Sequence, residues 1–171
     1  MIDSKNIYDL ENKIVVEDQP FPNASIKNFL PLEIAKKAEK EFIDFSKTSD
    51  AGSAQFQKTK KVLYDYSMMP KTIKEIINFL YSKEFLKILE KKFELKELVP
   101  DWKLFGGGLH ESFKGGFLKV HSDFLYMRKS KLKRRLNLLL YLNSNWDDNW
   151  GGSIEFWDKD MRSAQRKILP N

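Results

Sequence analysis

The chain has 171 residues, 42% of them hydrophobic, with 13 Phe and 4 Trp and a net charge of +6. That length suits one domain with a sizeable core, and the apolar content excludes a disordered chain. No run of about 18 apolar residues marks a membrane span, and the leading MIDSKNIYDLENK lacks the basic-then-apolar order of a secretory signal. The absence of cysteine excludes disulfides and thiolate metal sites, and a cytoplasmic location is expected. The small basic excess, 30 Lys and Arg against 24 Asp and Glu, is what a solvated surface carries.

In chain order, Ile14, Val15 and Val16 predict a short strand, and Pro20-Phe21-Pro22 a turn. Pro31 suits the first turn of a helix. Ile34, Ala38, Phe42 and Phe45 then recur at helical spacing, predicting an amphipathic helix over 32–46. The polar, Gly52-containing stretch 46–53 predicts a mobile loop. Val62, Tyr64 and Tyr66 alternate as in a strand. Pro70 opens a second helix with Ile73, Ile76, Ile77 and Leu80 on one side. Ser82 is placed to cap a third, with Glu84 near its positive end and Phe85, Leu86, Leu89 and Phe93 along it.

Past Pro100 the texture changes to short apolar runs separated by glycines and polar turns, at 104–105, 117–121, 136–142 and 154–157. These predict antiparallel strands, and the chain reads as α+β in a single domain over 1–171. Residues 1–100 form a helical support with short strands, and 101–171 the β part. Along 135–143, Leu136, Leu138, Leu140 and Leu142 make one apolar face. Asn137 and Tyr141 lie on the other. Either that polar face is solvated, or the leucines pack on the helices and the polar face lines a pocket.

The chemistry centres on His121-Ser122-Asp123. Residues two apart on a strand project from one face, so an imidazole and a carboxylate stand together. They are two of the three ligands of the facial triad that holds non-haem Fe(II). Other candidates carry less. Asp147 and Asp148 sit in a turn, and Gly106-Gly107-Gly108 lacks the Lys-Ser/Thr and helix of a phosphate loop. Residues 128–135 hold six cations and read as a solvated loop. No nucleic-acid motif accompanies them, so nucleic acid is not an expected partner. His110, the other histidine, reads as a structural or pocket residue.

Taken together, GGFLKVHSDF, RRLNLLLYLN, SNWDDNW and GGSIEFW resemble the 2-oxoglutarate/Fe(II)-dependent dioxygenases, specifically the prolyl 4-hydroxylase-like branch. The helical start INFLPLEIAKKAEKEF is similar to that family as well. The resemblance implies N-terminal helices packed on a double-stranded β-helix of the jelly-roll or cupin type. It implies Fe(II) on His121 and Asp123, with 2-oxoglutarate as cosubstrate and ascorbate as auxiliary reductant. Tyr141 would meet the distal carboxylate of 2-oxoglutarate, Asn137 would line its pocket, and Gly151-Gly152 would form the family's glycine turn. The expected reaction hydroxylates a peptidyl prolyl or small-molecule substrate and releases succinate and CO2. The family's distal histidine and its Arg or Lys clamp for 2-oxoglutarate would follow Asn171, so an incomplete β-helix lacking its last strands is expected. Such a chain would be inactive by itself and would self-associate through the exposed sheet edge. The alternative is a truncated or degenerate relative acting as a non-catalytic binding module.

Overall fold

The structure is a computed structural model that describes residues 4–46, 60–127 and 131–170. The predicted loop at 46–53, beyond its first residue, and residues 128–130 of the basic run lie outside these. The described residues form four α-helices: α1 (Ser4–Lys13), α2 (Leu32–Ser46), α3 (Lys71–Leu80) and α4 (Lys83–Lys92). Six short strands are β1 (Lys60–Leu63), β2 (Leu109–Ser112), β3 (Tyr126–Met127), β4 (Leu132–Lys133), β5 (Ile154–Trp157) and β6 (Ala164–Ile168).

The helix at 32–46 lies where its periodicity predicts, with Ala38 fully buried. Pro70 precedes α3, and Ile73 and Ile76 turn inward. Ser82 caps α4, its hydroxyl accepting from the Phe85 N–H at 3.2 Å. The N-terminal residues behave otherwise. Residues 4–13 are helical, and Ile14–Val16 form no strand. Leu10 and Ile14, one helical turn apart, are both buried against α4. That shared contact outweighs the β preference of the Ile-Val-Val run.

Two apolar clusters hold the helices. Ala38, Met69, Ile73, Ile76, Leu30 and Leu104 form one, between α2 and α3. Leu10, Ile14, Phe85, Ile88 and Leu89 form the other, between α1 and α4, and Phe29 and Leu80 touch both. A carboxylate ties the helices further. Glu41 of α2 accepts from the Thr72 N–H at 2.8 Å and its hydroxyl at 2.7 Å, satisfying a donor at the α3 N-terminus.

The β part departs from a double-stranded β-helix, which the described residues do not form. They hold three separate antiparallel pairs: β1 with β2, β3 with β4, and β5 with β6. Val62 faces His110 and Leu63 faces Leu109, so a strand from the helical part pairs with the β part. Gly108 makes that approach possible, because a Cβ there would lie 2.1 Å from the Leu63 carbonyl oxygen. Residues 104–105 are not a strand. The Asp101 carboxylate accepts from the Lys103 and Phe105 N–H groups and makes a turn of them. Residues 117–121 and 135–143 belong to none of the three pairs. Alternation gives a segment two faces, but a ladder needs a neighbouring backbone as well.

The segment 135–143 nevertheless divides as its alternation suggests. Leu140 and Leu142 pack on the α2–α3 cluster and Leu136 on the α1–α4 cluster. Leu138 is the exception and is exposed. Among the polar ties that fix the β part to the rest, two reach far along the chain. Glu39 of α2 accepts from the Ser144 N–H at 2.9 Å and its hydroxyl at 2.7 Å. Arg166 of β6 reaches Glu17 at 2.6 Å, Ser25 at 2.8 Å and the buried Asn23. No described helix is long and apolar enough to cross a membrane.

Candidate metal centre

The hairpin of β3 and β4 builds the site. Tyr126 faces Lys133 and Met127 faces Leu132, and the pairing continues as the Arg134 N–H donates to the Leu125 carbonyl at 2.8 Å. This brings the approach to β3, which carries His121 and Asp123, alongside the chain leaving β4, which carries Arg134 and Asn137.

His121 Nε2 lies 3.6 Å from Asp123 Oδ1. Its Nδ1 lies 2.7 Å from the Lys119 carbonyl oxygen. A carbonyl only accepts, so Nδ1 carries a proton, which leaves Nε2, the nitrogen nearer the carboxylate, as the atom that can offer a lone pair to an ion. This is how ligating histidines are held: the far nitrogen donates to a carbonyl and the near one faces the ion. At bond lengths of about 2.1 Å, two donors at right angles stand about 3 Å apart, so the observed separation is slightly wide for a shared octahedral ion. Both side chains are about half exposed, which leaves the pair open to a ligand from solvent.

The other carboxylate oxygen is engaged. Arg134 Nη1 lies 3.1 Å from Asp123 Oδ2, and the Asn137 side-chain amide donates to the same oxygen. Arg134 is itself well held. Its Nη2 donates to the Phe105 carbonyl at 2.9 Å, and its guanidinium carbon lies 4.0 Å from the centre of the Phe124 ring. Phe105 in turn meets Phe124 edge-on at 5.2 Å.

Tyr141 is half-buried, and its hydroxyl meets the Ile154 backbone N–H. Burial pushes its pKa up, and the hydrogen bond from Ile154 pulls it back to a lesser extent. The phenol therefore keeps its proton and can still donate it. Gly151 and Gly152 both adopt positive φ, 75° and 71°, after the short helical turn Asp148–Trp150 that Asp147 caps. Trp146 closes this turn by donating its indole N–H to the Gly151 carbonyl at 2.9 Å. His110 lies on β2, with Nε2 3.1 Å from the Gly107 carbonyl. Burial lowers its pKa and favours the neutral ring.

The donor set suits a divalent first-row cation at two positions, an imidazole nitrogen and a carboxylate oxygen. Among the described residues no group of three His, Cys, Asp or Glu side chains forms, so neither His110 nor a carboxylate completes a triad.

Residues 107–171 match the family model of the 2OG-Fe(II) oxygenase superfamily. No curated protein and no solved structure gives a match. The matched segment contains His121, Asp123, Asn137, Tyr141 and the glycine turn, and leaves the helices outside it. It supports a dioxygenase-type activity in general, and 2OG-Fe(II) oxygenases by their description use Fe(II) and 2-oxoglutarate.

Arg134 was not among the residues that sequence reasoning singled out, since it sits in a basic run that reads as solvated surface. The signal was the hairpin itself. Once Tyr126 is paired with Lys133, Arg134 falls beside Leu125 and within reach of Asp123.

Proposed function

We propose that this chain carries part of the centre of a 2-oxoglutarate/Fe(II)-dependent dioxygenase that hydroxylates a peptidyl prolyl or related small-molecule substrate. The observation that carries the reading is the His121 Nε2–Asp123 Oδ1 pair, its imidazole tautomer set by Lys119, inside the segment that matches the superfamily. His121 and Asp123 would hold the iron. When bound, the iron and 2-oxoglutarate supply the oxidising chemistry, with release of succinate and CO2. Tyr141 would donate its hydroxyl proton to the distal carboxylate of 2-oxoglutarate. Asn137 would orient Asp123 at the edge of the same pocket.

Two protein donors hold an ion less firmly than three. We therefore expect weak iron binding and no turnover by the 171-residue chain alone, with activity depending on a third donor. The test is anaerobic loading with Fe(II) and 2-oxoglutarate, then oxygen with ascorbate present to keep the iron reduced. Succinate is measured with and without millimolar imidazole as a free third ligand. Succinate that appears with imidazole and is lost in His121→Ala and Asp123→Ala supports the proposal. Tight one-to-one Fe(II) binding without imidazole would refute the two-donor account.

The second reading is a non-catalytic binding module. It is favoured by the two-donor set and by exposed apolar side chains of the β part, Phe117 at 74%, Trp150 at 64% and Leu139 at 61%. Short strand pairs also leave backbone edges that another chain can extend. We infer self-association of two copies through that face. Light scattering across a wide concentration range checks it, and a monomer at every concentration would dismiss it.

A further inference from the structure

We propose that Arg134 is a positioning residue that makes Asp123 a single-oxygen ligand. The inference rests on the metal-site reading above and goes beyond it, to how the carboxylate is aimed. A free aspartate offers two equivalent oxygens and can turn about its side-chain bonds. Here Oδ2 is held by an ion pair with the Arg134 guanidinium at 3.1 Å and by a charge-assisted hydrogen bond from the Asn137 amide. Oδ1 is the oxygen left beside His121 Nε2.

Arg134 can act in this way because it is fixed on every side. The Phe105 carbonyl takes a second N–H at 2.9 Å, the Phe124 ring covers the guanidinium face, and the side chain is only 19% exposed. Gly106 clears the space behind. A Cβ there would stand 3.1 Å from Arg134 Nη2 and 3.3 Å from the Phe124 ring. The glycine run that fails as a phosphate loop thus has a role at Gly106, as room for this stack. A lysine in place of Arg134 would keep the charge and lose the fork that binds Asp123 and Phe105 together.

The experiment uses the full chain and Mn(II) as the probe. The chain has only two histidines, so its two imidazole Cε1–H NMR signals are assigned with His110→Gln. Mn(II) broadens the signal of the histidine it approaches, even at a weak site. We expect His121 to broaden before His110, and Arg134→Lys to require about 10- to 100-fold more Mn(II) for the same broadening. Asn137→Ala should shift it in the same direction by less. Lys40→Ala, a change in an exposed ion pair remote in sequence, should not shift it. An unchanged midpoint in Arg134→Lys would overturn the proposal.

A metal-free measurement separates this inference from the proposed function. If Arg134 pins Asp123, the losses in Tm from Arg134→Lys and Asp123→Asn are not additive, and the double variant loses less than their sum. Additive losses overturn the clamp. If the wild-type chain takes up no Mn(II) even at millimolar concentration, the iron reading fails. The cycle then decides the clamp alone.

Discussion

Single side chains decide both the stability of the helical part and the aim of the site. Ile76 is 3% exposed in the α2–α3 cluster. Ile76→Ala removes buried methyl groups and leaves a cavity, and should cost about 2–5 kcal/mol in urea unfolding. Ala38 is the reverse case. It has no exposed surface, so Ala38→Leu forces extra volume into the same cluster and should cost about 1–3 kcal/mol. Ser82→Ala removes the acceptor for the Phe85 N–H and should cost about 1 kcal/mol. At the site, His121 differs from an ordinary surface histidine through one bond, from Nδ1 to the Lys119 carbonyl. The residue types of this bond were legible in the chain. The tautomer was not, because a backbone carbonyl two residues away has no sequence signature.

Among elements, the helices were read well and the strands poorly. The helix at 32–46 and the capped start of α4 follow from periodicity and from Ser82, both local signals. The helix α1 was missed because its inward residues, Leu10 and Ile14, are few and run into a β-branched stretch. The β5–β6 hairpin shows how a strand pair gets its turn. Asp158 accepts from the Arg162 and Ser163 N–H groups and from the Ser163 hydroxyl, and these bonds hold its pKa below the usual carboxylate value. A depressed carboxylate pKa means stability that is present above the unfolded value, about 3.9, and is lost as pH falls through the lower folded value. The protection of β5 and β6 amides, with exchange corrected for its own pH dependence, should therefore fall as pH drops below the usual carboxylate value. Asp158→Ala should show fast exchange throughout, without that acid step. An acid step retained in Asp158→Ala would assign it to another carboxylate.

At the scale of the molecule, helices and β part are joined by a few long-range polar ties and by leucines of the 135–143 segment. Glu39 to Ser144 is one tie, and Arg166 to Glu17, Asn23 and Ser25 is another. Glu17 is half exposed, so its ion pair contributes little. The bonds to Asn23 and Ser25 matter more. Arg166→Ala should cost about 1.5–3 kcal/mol and should loosen β6 before the helices, as read by site-resolved amide exchange. Equal loosening of α2 and β6 would show that the two parts unfold as one unit. The apolar side chains left on the β face make the same point. Leu136, Leu140 and Leu142 are covered by helices, whereas Phe117 and Leu139 stay open.

Periodicity and caps were enough to place three of the helices, because a helix closes its hydrogen bonds within itself. The residue types at His121 and Asp123 were legible, but the strand expected to carry them does not form, and their side chains meet on an irregular segment. Nothing local specifies which backbone lies beside a strand. The partnership of Lys60–Leu63 with Leu109–Ser112 across the chain therefore appeared only in three dimensions. So did Arg134, whose place beside Asp123 depends on a hairpin closing between them and on a glycine, Gly106, leaving room for its guanidinium.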